Sequence, residues 1–201
     1  NAIEGKTMAN KKTFKQAPLP FIGQKRMFLK HFQNILNEHI KDDGEGWIII
    51  DAFGGSGLLS HVAKAIKPKA RVIYNDFDGY SERLAHIGDI NTLRSQLFTA
   101  VGSAVPKNKR MPKEVKAKCV KIIQEFDGYK YLNCLASWLL FSGQQVATTD
   151  ELFQNDFWNC IRQSDYPKAD CYLDDIEIIR ESFHTLLPKF SGNRKALFVL
   201  D

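Results

Sequence analysis

Residues 47–57, Trp-Ile-Ile-Ile-Asp-Ala-Phe-Gly-Gly-Ser-Gly, decide the fold class. A short, continuous run of apolar and mostly β-branched residues is typical of a parallel strand buried on both faces, so we predict a strand over residues 47–51. The glycines that follow predict a tight turn, and residues 58–66 predict a helix that ends before Pro68. Open α/β sheets bind ligands where a strand passes through such a turn into a helix.

Outward from this turn, the pattern predicts a Rossmann-like α/β core. Residues 70–75 form a second apolar run, so strand, helix and strand make one parallel crossover unit. Towards the amino end, apolar residues recur at spacings of three and four over 24–40 and predict a helix. Towards the carboxyl end we expect a short strand over 169–173, a helix over 174–187 and a buried strand over 196–200.

The middle of the chain predicts a separate helical part. Residues 80–165 show no strand–helix alternation, and we predict a mainly helical insertion there. Helical patterns occupy its segments 80–100, 112–126 and 129–141. The core is then expected to consist of residues 18–79 and 166–201, preceded by a tag remnant and a basic arm over residues 1–17.

The composition is that of a globular protein. The chain has 201 residues, 44% of them hydrophobic, and no apolar run approaches the ~20 residues that span a bilayer. No secretory signal pattern is present, and the four cysteines show neither CxxC spacing nor a metal-ligand spacing with the histidines. We therefore expect a reduced, cytoplasmic protein without a metal site or a membrane segment.

An acidic residue lies at the end of the second predicted strand, and it is linked to the glycine turn by its spacing. Asp76 follows Gly57 by 19 residues, and in the dinucleotide-binding fold a carboxylate about 20 residues beyond the turn accepts hydrogen bonds from a ribose. The pair predicts a nucleoside cofactor. NAD is one alternative, although Ser60 fills its third glycine position imperfectly. The other alternative is that the glycines only form a turn and that Asp76 caps the next helix.

Three short motifs lie in order along residues 18–79. They are Pro-Phe-Ile-Gly-Gln-Lys at 20–25, Phe-Gly-Gly-Ser-Gly at 53–57 and Asn-Asp-Phe-Asp at 75–78. They resemble, in this order, the PFxGxK segment, the FxGxG motif and the motif that follows it in Dam-like DNA adenine-N6 methyltransferases. That family places its target-recognition region next and then its DPPY motif, and Phe-Val-Leu-Asp at 198–201 follows the helical insertion here.

The resemblance implies a methyltransferase core with S-adenosylmethionine as cofactor and double-stranded DNA as partner. Lys25 would pair with the methionine carboxylate, Phe21 would pack over the cofactor, and Phe77 would pack on its adenine. Asp174 or Asp175 would bond the adenine amine. The full set of cofactor-binding residues that the resemblance implies is Phe21, Lys25, Asp51, Phe53, Gly54, Gly55, Ser56, Gly57, Asp76, Phe77, Asp174 and Asp175.

The catalytic residue that the resemblance implies is Asp201, as the first residue of an Asp-Pro-Pro-aromatic motif. An adenine amine is a poor nucleophile, and a carboxylate that accepts its hydrogen bonds assists the attack on a base flipped out of the duplex. We expect the encoded protein to continue after Asp201 and the 201-residue piece to lack methyl transfer. An alternative is a non-catalytic remnant that binds cofactor and DNA.

The charge distribution predicts a basic patch inside the insertion. The formal net charge is +5, and residues 106–118 carry six basic side chains against one acid, so their surplus of five equals that of the chain. Contacts to phosphates are independent of sequence and sensitive to salt. The candidate DNA contacts are Lys107, Lys109, Arg110, Lys113 and Lys116. A solvated helix face explains the same charges equally well.

Overall fold

The computed structural model describes residues 13–23 and 25–200, and within them the chain forms two compact units. The first unit contains residues 13–17, Phe21–Ser81 and the described residues from Ala169 onward. The second contains Pro18–Pro20 and Glu82–Lys168.

A parallel sheet of four strands forms the centre of the first unit. Its strands are β1 (Ile48–Asp51), β2 (Arg71–Asn75), β3 (Glu177–Ile179) and β4 (Ala196–Val199). They lie in the order β3-β2-β1-β4, and every pair is parallel. The prediction of an α/β, Rossmann-like fold is confirmed. Because β4 pairs with β1 and not with β3, the strand order reverses beside β1, and such a reversal opens a ligand crevice at the carboxyl ends of the strands.

Helices cover both faces of this sheet. The chain passes from a 3₁₀ turn (Arg26–Phe28) into α1 (Leu29–His39), and α2 (Leu58–Ile66) packs between α1 and the strands β1 and β2. On one face, Ile50 and Ile73 pack against Leu186 of the short helix α8 (Phe183–Leu186), which continues into a 3₁₀ turn (Leu187–Lys189). β4 lies at an edge of the sheet, and its residues are half-buried.

The segment that leads into β3 differs from the prediction. Residues 169–173 were expected to form a strand, but the segment forms turns, and Cys171 has a φ angle of +66°, a left-handed conformation that is rare in strands. The predicted helix over 174–187 is also wrong, because β3 occupies its centre and only the four residues of α8 are α-helical. β3 is placed by its pairing with β2 and by Glu177, whose carboxylate accepts two hydrogen bonds from Arg71, at 2.8 and 3.0 Å.

Residues 13–17 belong to the first unit, and a histidine of α2 holds them. The backbone N–H of Phe14 donates to Nε2 of His61 at 2.8 Å, and Nδ1 of His61 lies 2.7 Å from the carbonyl oxygen of Tyr172. Because Nε2 accepts, the hydrogen of the imidazole is on Nδ1 and is donated to Tyr172. One neutral ring thus joins the amino-terminal segment to the loop before β3.

The second unit is mainly helical. Helix α3 (Tyr80–Leu84) leads into it from the first unit and is followed by α4 (Ile87–Val101), a 3₁₀ turn (Gly102–Ala104), α5 (Lys113–Glu125), α6 (Leu132–Leu139) and α7 (Thr149–Gln154). α4 packs against α5, and Arg110 and Trp158 form a single antiparallel bridge. The helical patterns over 80–100, 112–126 and 129–141 correspond to α3 with α4, to α5 and to α6. Among the described residues, no helix has the length and apolar content needed to cross a membrane.

Candidate functional site

A cavity of about 480 Å³ opens at the carboxyl ends of β1 and β2, within the first unit. This volume lies in the range of small-molecule and cofactor sites. Its walls come from the segment before α1, from the glycine turn, from the end of β2 and from the loop after β3. The lining residues are Phe21, Ile22, Gly23, Lys25, Asp51, Ala52, Phe53, Gly54, Gly55, Ser56, Leu58, Leu59, Asn75, Phe77, Asp78, Glu181, Ser182 and Phe183.

The glycine turn can approach its neighbours closely only because it lacks side chains. A Cβ atom on Gly54 would lie 2.2 Å from Cδ2 of Tyr74, a distance that real Cβ atoms do not show. Gly55 has a φ angle of +49°, and a Cβ there would lie 3.0 Å from Cε1 of Phe21. Both positions therefore require glycine, the first for space and the second for its backbone conformation as well.

Two buried tyrosines hold the carbonyl groups of this turn. The hydroxyl of Tyr74 lies 2.7 Å from the carbonyl oxygen of Gly55 and 3.0 Å from Oδ1 of Asp76, and the hydroxyl of Tyr172 donates to the carbonyl of Ser56 at 2.9 Å. Burial raises the pKa of both phenols, so both hydroxyls stay protonated as donors. The turn is thus fixed in shape before any ligand binds.

Asn75 connects the ends of three strands. Its Nδ2 donates to the carbonyls of Ala52 and Glu181, both at 2.9 Å, and its Oδ1 accepts from the backbone N–H of Glu181 at 2.9 Å. Its exposed fraction is 2%. Asn75 therefore sets the position of the loop after β3 relative to the ends of β1 and β2, a role that the sequence motif alone did not assign.

Asp76 does not line the cavity, and its carboxylate caps the helix that follows. Its two oxygens accept from the backbone N–H groups of Tyr80 and Ser81 at 2.7 and 2.9 Å and from the Ser81 hydroxyl at 2.5 Å. The side chain is almost completely buried. The structure therefore shows the capping alternative for this carboxylate, and its contact with a ribose stays a prediction. The carboxylate that lines the cavity from this strand end is that of Asp78.

Asp174 and Asp175 were expected at the carboxyl end of a third strand, and this placement is wrong. Both precede β3, so they lie at its amino end, away from the cavity that opens at the carboxyl ends. The residues that follow β3 line the cavity instead: Glu181, Ser182 and Phe183. They carry no motif that the sequence analysis used, although Ser182 has the signal of a helix cap, its Oγ accepting from the N–H of His184 at 3.3 Å.

Aromatic rings form much of the cavity wall. The rings of Phe53 and Phe183 are 5.3 Å apart between centroids, and Phe21 packs edge-on against Tyr80 at 5.6 Å. Phe77 lies at the rim, and 69% of its surface is exposed. An apolar wall of partly exposed rings is suited to the flat face of a nucleobase, because stacking would remove this aromatic surface from water.

Charged groups at the cavity have both signs. Lys25 lines it on one side, and the carboxylates of Asp51, Asp78 and Glu181 line it elsewhere. Asp51 is buried, and its Oδ2 accepts from the Ser60 hydroxyl at 2.7 Å.

The structure brings most of the predicted cofactor residues to one cavity. Gly57, Asp76, Asp174 and Asp175 do not line it, and Asp201 lies outside the described residues. The binding roles themselves stay predictions.

The basic side chains of the second unit are only partly available to a partner. Lys107, Lys109 and Lys113 are exposed. Arg110 forms an ion pair with Asp156 at 2.6 Å, and Lys116 donates to the carbonyl of Asn155 at 2.8 Å. The two partners lie about 40 residues further along the chain, so the local charge count did not reveal them. No group of three or more potential metal ligands occurs in the described part of the chain.

One curated relative is similar to the whole chain. A protein of Haemophilus influenzae (strain ATCC 51907 / DSM 11121 / KW20 / Rd), named "Putative methyltransferase", is 66% identical over 201 residues, which are all of this chain and 68% of the relative. No family profile and no solved structure matches the chain.

Proposed function

The chain belongs to the methyltransferase family of its Haemophilus influenzae relative, and from this premise we propose that it serves methyl transfer from S-adenosylmethionine to N6 of adenine in double-stranded DNA. The observation that carries the proposal is the cavity at the carboxyl ends of β1 and β2, where a rigid glycine turn meets partly exposed aromatic rings. The motifs at 20–25, 53–57 and 75–78 support the adenine-N6 class through their resemblance to Dam-like enzymes.

The residues of the cavity suit the methyl donor. The backbone at Gly54 and Gly55 has no side chain in the way, so the methionine part of the donor could lie against it. Lys25 offers a compact cation for the donor's carboxylate. The buried carboxylate of Asp51 is a favourable neighbour for the positive sulfonium, which supplies the electrophilic methyl group when the donor is bound.

The nucleoside part of the donor requires a flat partner and a ribose partner. The rings of Phe53, Phe77 and Phe183 are the candidates for stacking on its adenine. Asp78 replaces Asp76 as our candidate for the ribose hydroxyls, because Asp78 lines the cavity and the Asp76 carboxylate is engaged in capping.

For the target base we retain Asp201 as the catalytic residue. Its carboxylate would accept hydrogen bonds from the adenine amine and keep the nitrogen lone pair directed at the methyl group. Lys107, Lys109 and Lys113 are the exposed candidates for phosphate contacts. Arg110 and Lys116 remain candidates only if they exchange their protein partners for phosphate.

The test is a transfer assay with the full product of the gene that encodes this chain, because the chain matches 68% of the length of its relative. Methyl-labelled S-adenosylmethionine and duplex DNA are incubated with the protein, and the DNA is digested to nucleosides. We expect the label in N6-methyl-2′-deoxyadenosine, and Asp201→Ala should reduce it by about 10²- to 10⁴-fold without changing donor binding.

Two outcomes would contradict the proposal. Label in a cytosine or in protein would leave the methyltransferase family in place but exclude the adenine class. Donor binding and duplex binding without any transfer by the full product would favour the non-catalytic remnant.

A further inference from the structure

A second recess lies in the second unit, outside the site described above. This recess, a depression of about 570 Å³, is lined by Pro20, Lys107, Ser137, Trp138, Cys160 and four residues of the loop 162–166: Arg162, Gln163, Ser164 and Tyr166. Its described lining contains two cations, Lys107 and Arg162, and no carboxylate. Asp165, the acidic residue of that loop, is paired with Arg94 at 2.6 Å. The depression therefore has a net positive lining.

Arg162 is held in a fixed orientation. Its guanidinium carbon lies 4.1 Å from the centroid of the Tyr166 ring, and its terminal NH2 group donates to Ser164 Oγ at 3.0 Å. Tyr166 is itself fixed, because its hydroxyl accepts from Trp138 Nε1 at 3.1 Å and its backbone N–H donates to Asn91 at 2.7 Å. The stacked guanidinium thus rests on a rigid aromatic platform.

The position of Arg162 carries a cost in hydrogen bonding. Its buried Nε has no hydrogen-bond partner among the described residues. A buried donor without a partner is unfavourable, so the contact with the Tyr166 ring and the hydrogen bond to Ser164 hold the guanidinium in place against this cost. The loop is kept in place by Arg94, which donates to the carbonyls of Arg162 and Gln163 at 3.0 and 3.1 Å. A buried cation that fixes this loop keeps Arg162 where a ligand would meet it.

Lys107 and the hydroxyl of Ser164 complete the set of donors. Lys107 forms no ion pair or side-chain hydrogen bond with the described residues, and its positive charge opposes the rise in pKa that burial causes at the neighbouring Cys160 thiol. Ser164 accepts from Arg162, which leaves its hydroxyl hydrogen for another acceptor. Ammonium, guanidinium and hydroxyl donors that converge without a carboxylate are the chemistry of a phosphate site.

We infer that this depression binds a backbone phosphate of a DNA strand, an inference that rests on the proposed function. A phosphodiester is favoured over a free anion because Lys107 also belongs to the exposed basic stretch, so the depression continues a surface that already carries Lys109 and Lys113. Lys107 supplies the charge and Arg162 the oriented fork.

The experiment measures duplex binding by fluorescence anisotropy between about 50 and 200 mM salt. Over this range the slope of log affinity against log salt changes measurably when one phosphate contact is lost. The probe is a duplex made only of G·C pairs. Lys107→Gln and Arg162→Gln should each weaken binding about 5- to 10-fold near 0.1 M salt and lower the salt slope by about 0.9. The matched control is Lys118→Gln, an exposed lysine of α5 that does not line the depression, and it should change affinity less than about twofold.

The outcomes separate this inference from the proposed function. Because the probe contains no adenine, failure of adenine methylation leaves the binding result intact. Unchanged affinity and salt slope for both depression variants, with the wild type bound, would overturn the phosphate site alone. No duplex binding by the wild-type chain would also overturn it. Tight binding of inorganic phosphate, measured by calorimetry and lost in Lys107→Gln, would assign a free anion instead of a DNA strand. Circular dichroism confirms that each variant is folded.

Discussion

In the cavity of the first unit, buried hydrogen bonds from Tyr74, Tyr172 and Asn75 hold the backbone that faces the ligand, whereas in the depression of the second unit the ligand-facing groups are the ends of Lys107 and Arg162. The first site is formed by the same contacts that join the strands. The second is formed by long side chains on two loops of the second unit.

The two sites should therefore respond differently to substitution. Behind the cavity, a change to one of these buried hydrogen-bonding groups alters folding and donor binding together, because an unmade buried hydrogen bond is costly. At the depression, a change alters charge, so it should affect salt-dependent affinity with little effect on stability.

The largest effect is expected at Gly54. In Gly54→Ala the new Cβ would meet the buried Tyr74 ring at 2.2 Å, so the turn or the strand must move, at a cost of about 3 kcal/mol in the free energy of unfolding. The matched control is Gly88→Ala in α4, where no atom lies within 4 Å and the change should stabilise the protein by about 0.5–1 kcal/mol. Urea unfolding measures both, and equal stabilities would contradict the tight turn.

A smaller loss is expected at Asn75. Asn75→Ala leaves the carbonyls of Ala52 and Glu181 and one N–H without their partner and should destabilise the protein by about 2 kcal/mol. Asn133→Ala in the second unit is the control, because Asn133 is exposed and should contribute less than about 0.5 kcal/mol. Thermal unfolding measures the stability of the two variants. A loss of stability in Asn75→Ala no larger than that in Asn133→Ala would contradict a structural role for Asn75.

Tyr172→Phe removes one hydroxyl and keeps the ring. The carbonyl of Ser56 loses its donor, so S-adenosylmethionine should bind about 5-fold more weakly, equivalent to about 1 kcal/mol. Duplex affinity should be unchanged. Calorimetry with the donor and anisotropy with DNA give the two values, and equal losses for both ligands would show that the two sites are not independent.

The smallest effect concerns the ion pair between β2 and β3. Hydrogen bonds from Arg71 lower the pKa of Glu177, so this pair stabilises the fold above the unfolded-state pKa of Glu177 and loses that effect as the pH falls through the lowered pKa. Both side chains are about half exposed, which limits the contribution to less than about 1 kcal/mol. Glu177→Gln should therefore unfold at a lower temperature than wild type at neutral pH and at the same temperature in acid. A difference that grows in acid would contradict this sign.

Features with a local physical cause were predictable from sequence. The helix over 58–66 and the strands around it were found, because a glycine turn between an apolar run and a helix has few other structures. β3 was missed because its position depends on pairing with β2 and on the contact between Arg71 and Glu177, which is 106 residues distant in sequence. No periodicity within residues 169–187 encodes that partner.

The candidate site shows the same limit. An aspartate after a strand can bind a ribose or cap a helix, and the spacing from the glycine turn favoured the ribose for Asp76. What decides for Asp76 is the position of the N–H groups of Tyr80 and Ser81, which is a property of the folded backbone. The basic stretch is similar, because its charges were visible but the partner of Arg110, Asp156, was not.

The proposal that the cavity of the first unit binds S-adenosylmethionine is tested most directly by calorimetry of this donor with wild type, Phe77→Ala and Phe98→Ala. Phe77 lies at the rim of the cavity and is 69% exposed, so its loss should leave the fold intact and weaken donor binding about 5-fold through lost stacking. Phe98, in α4 of the second unit and 41% exposed, should leave affinity unchanged. We predict one bound donor per chain and no binding of NAD. Equal donor affinity for all three proteins, or binding of NAD in place of the donor, would contradict it.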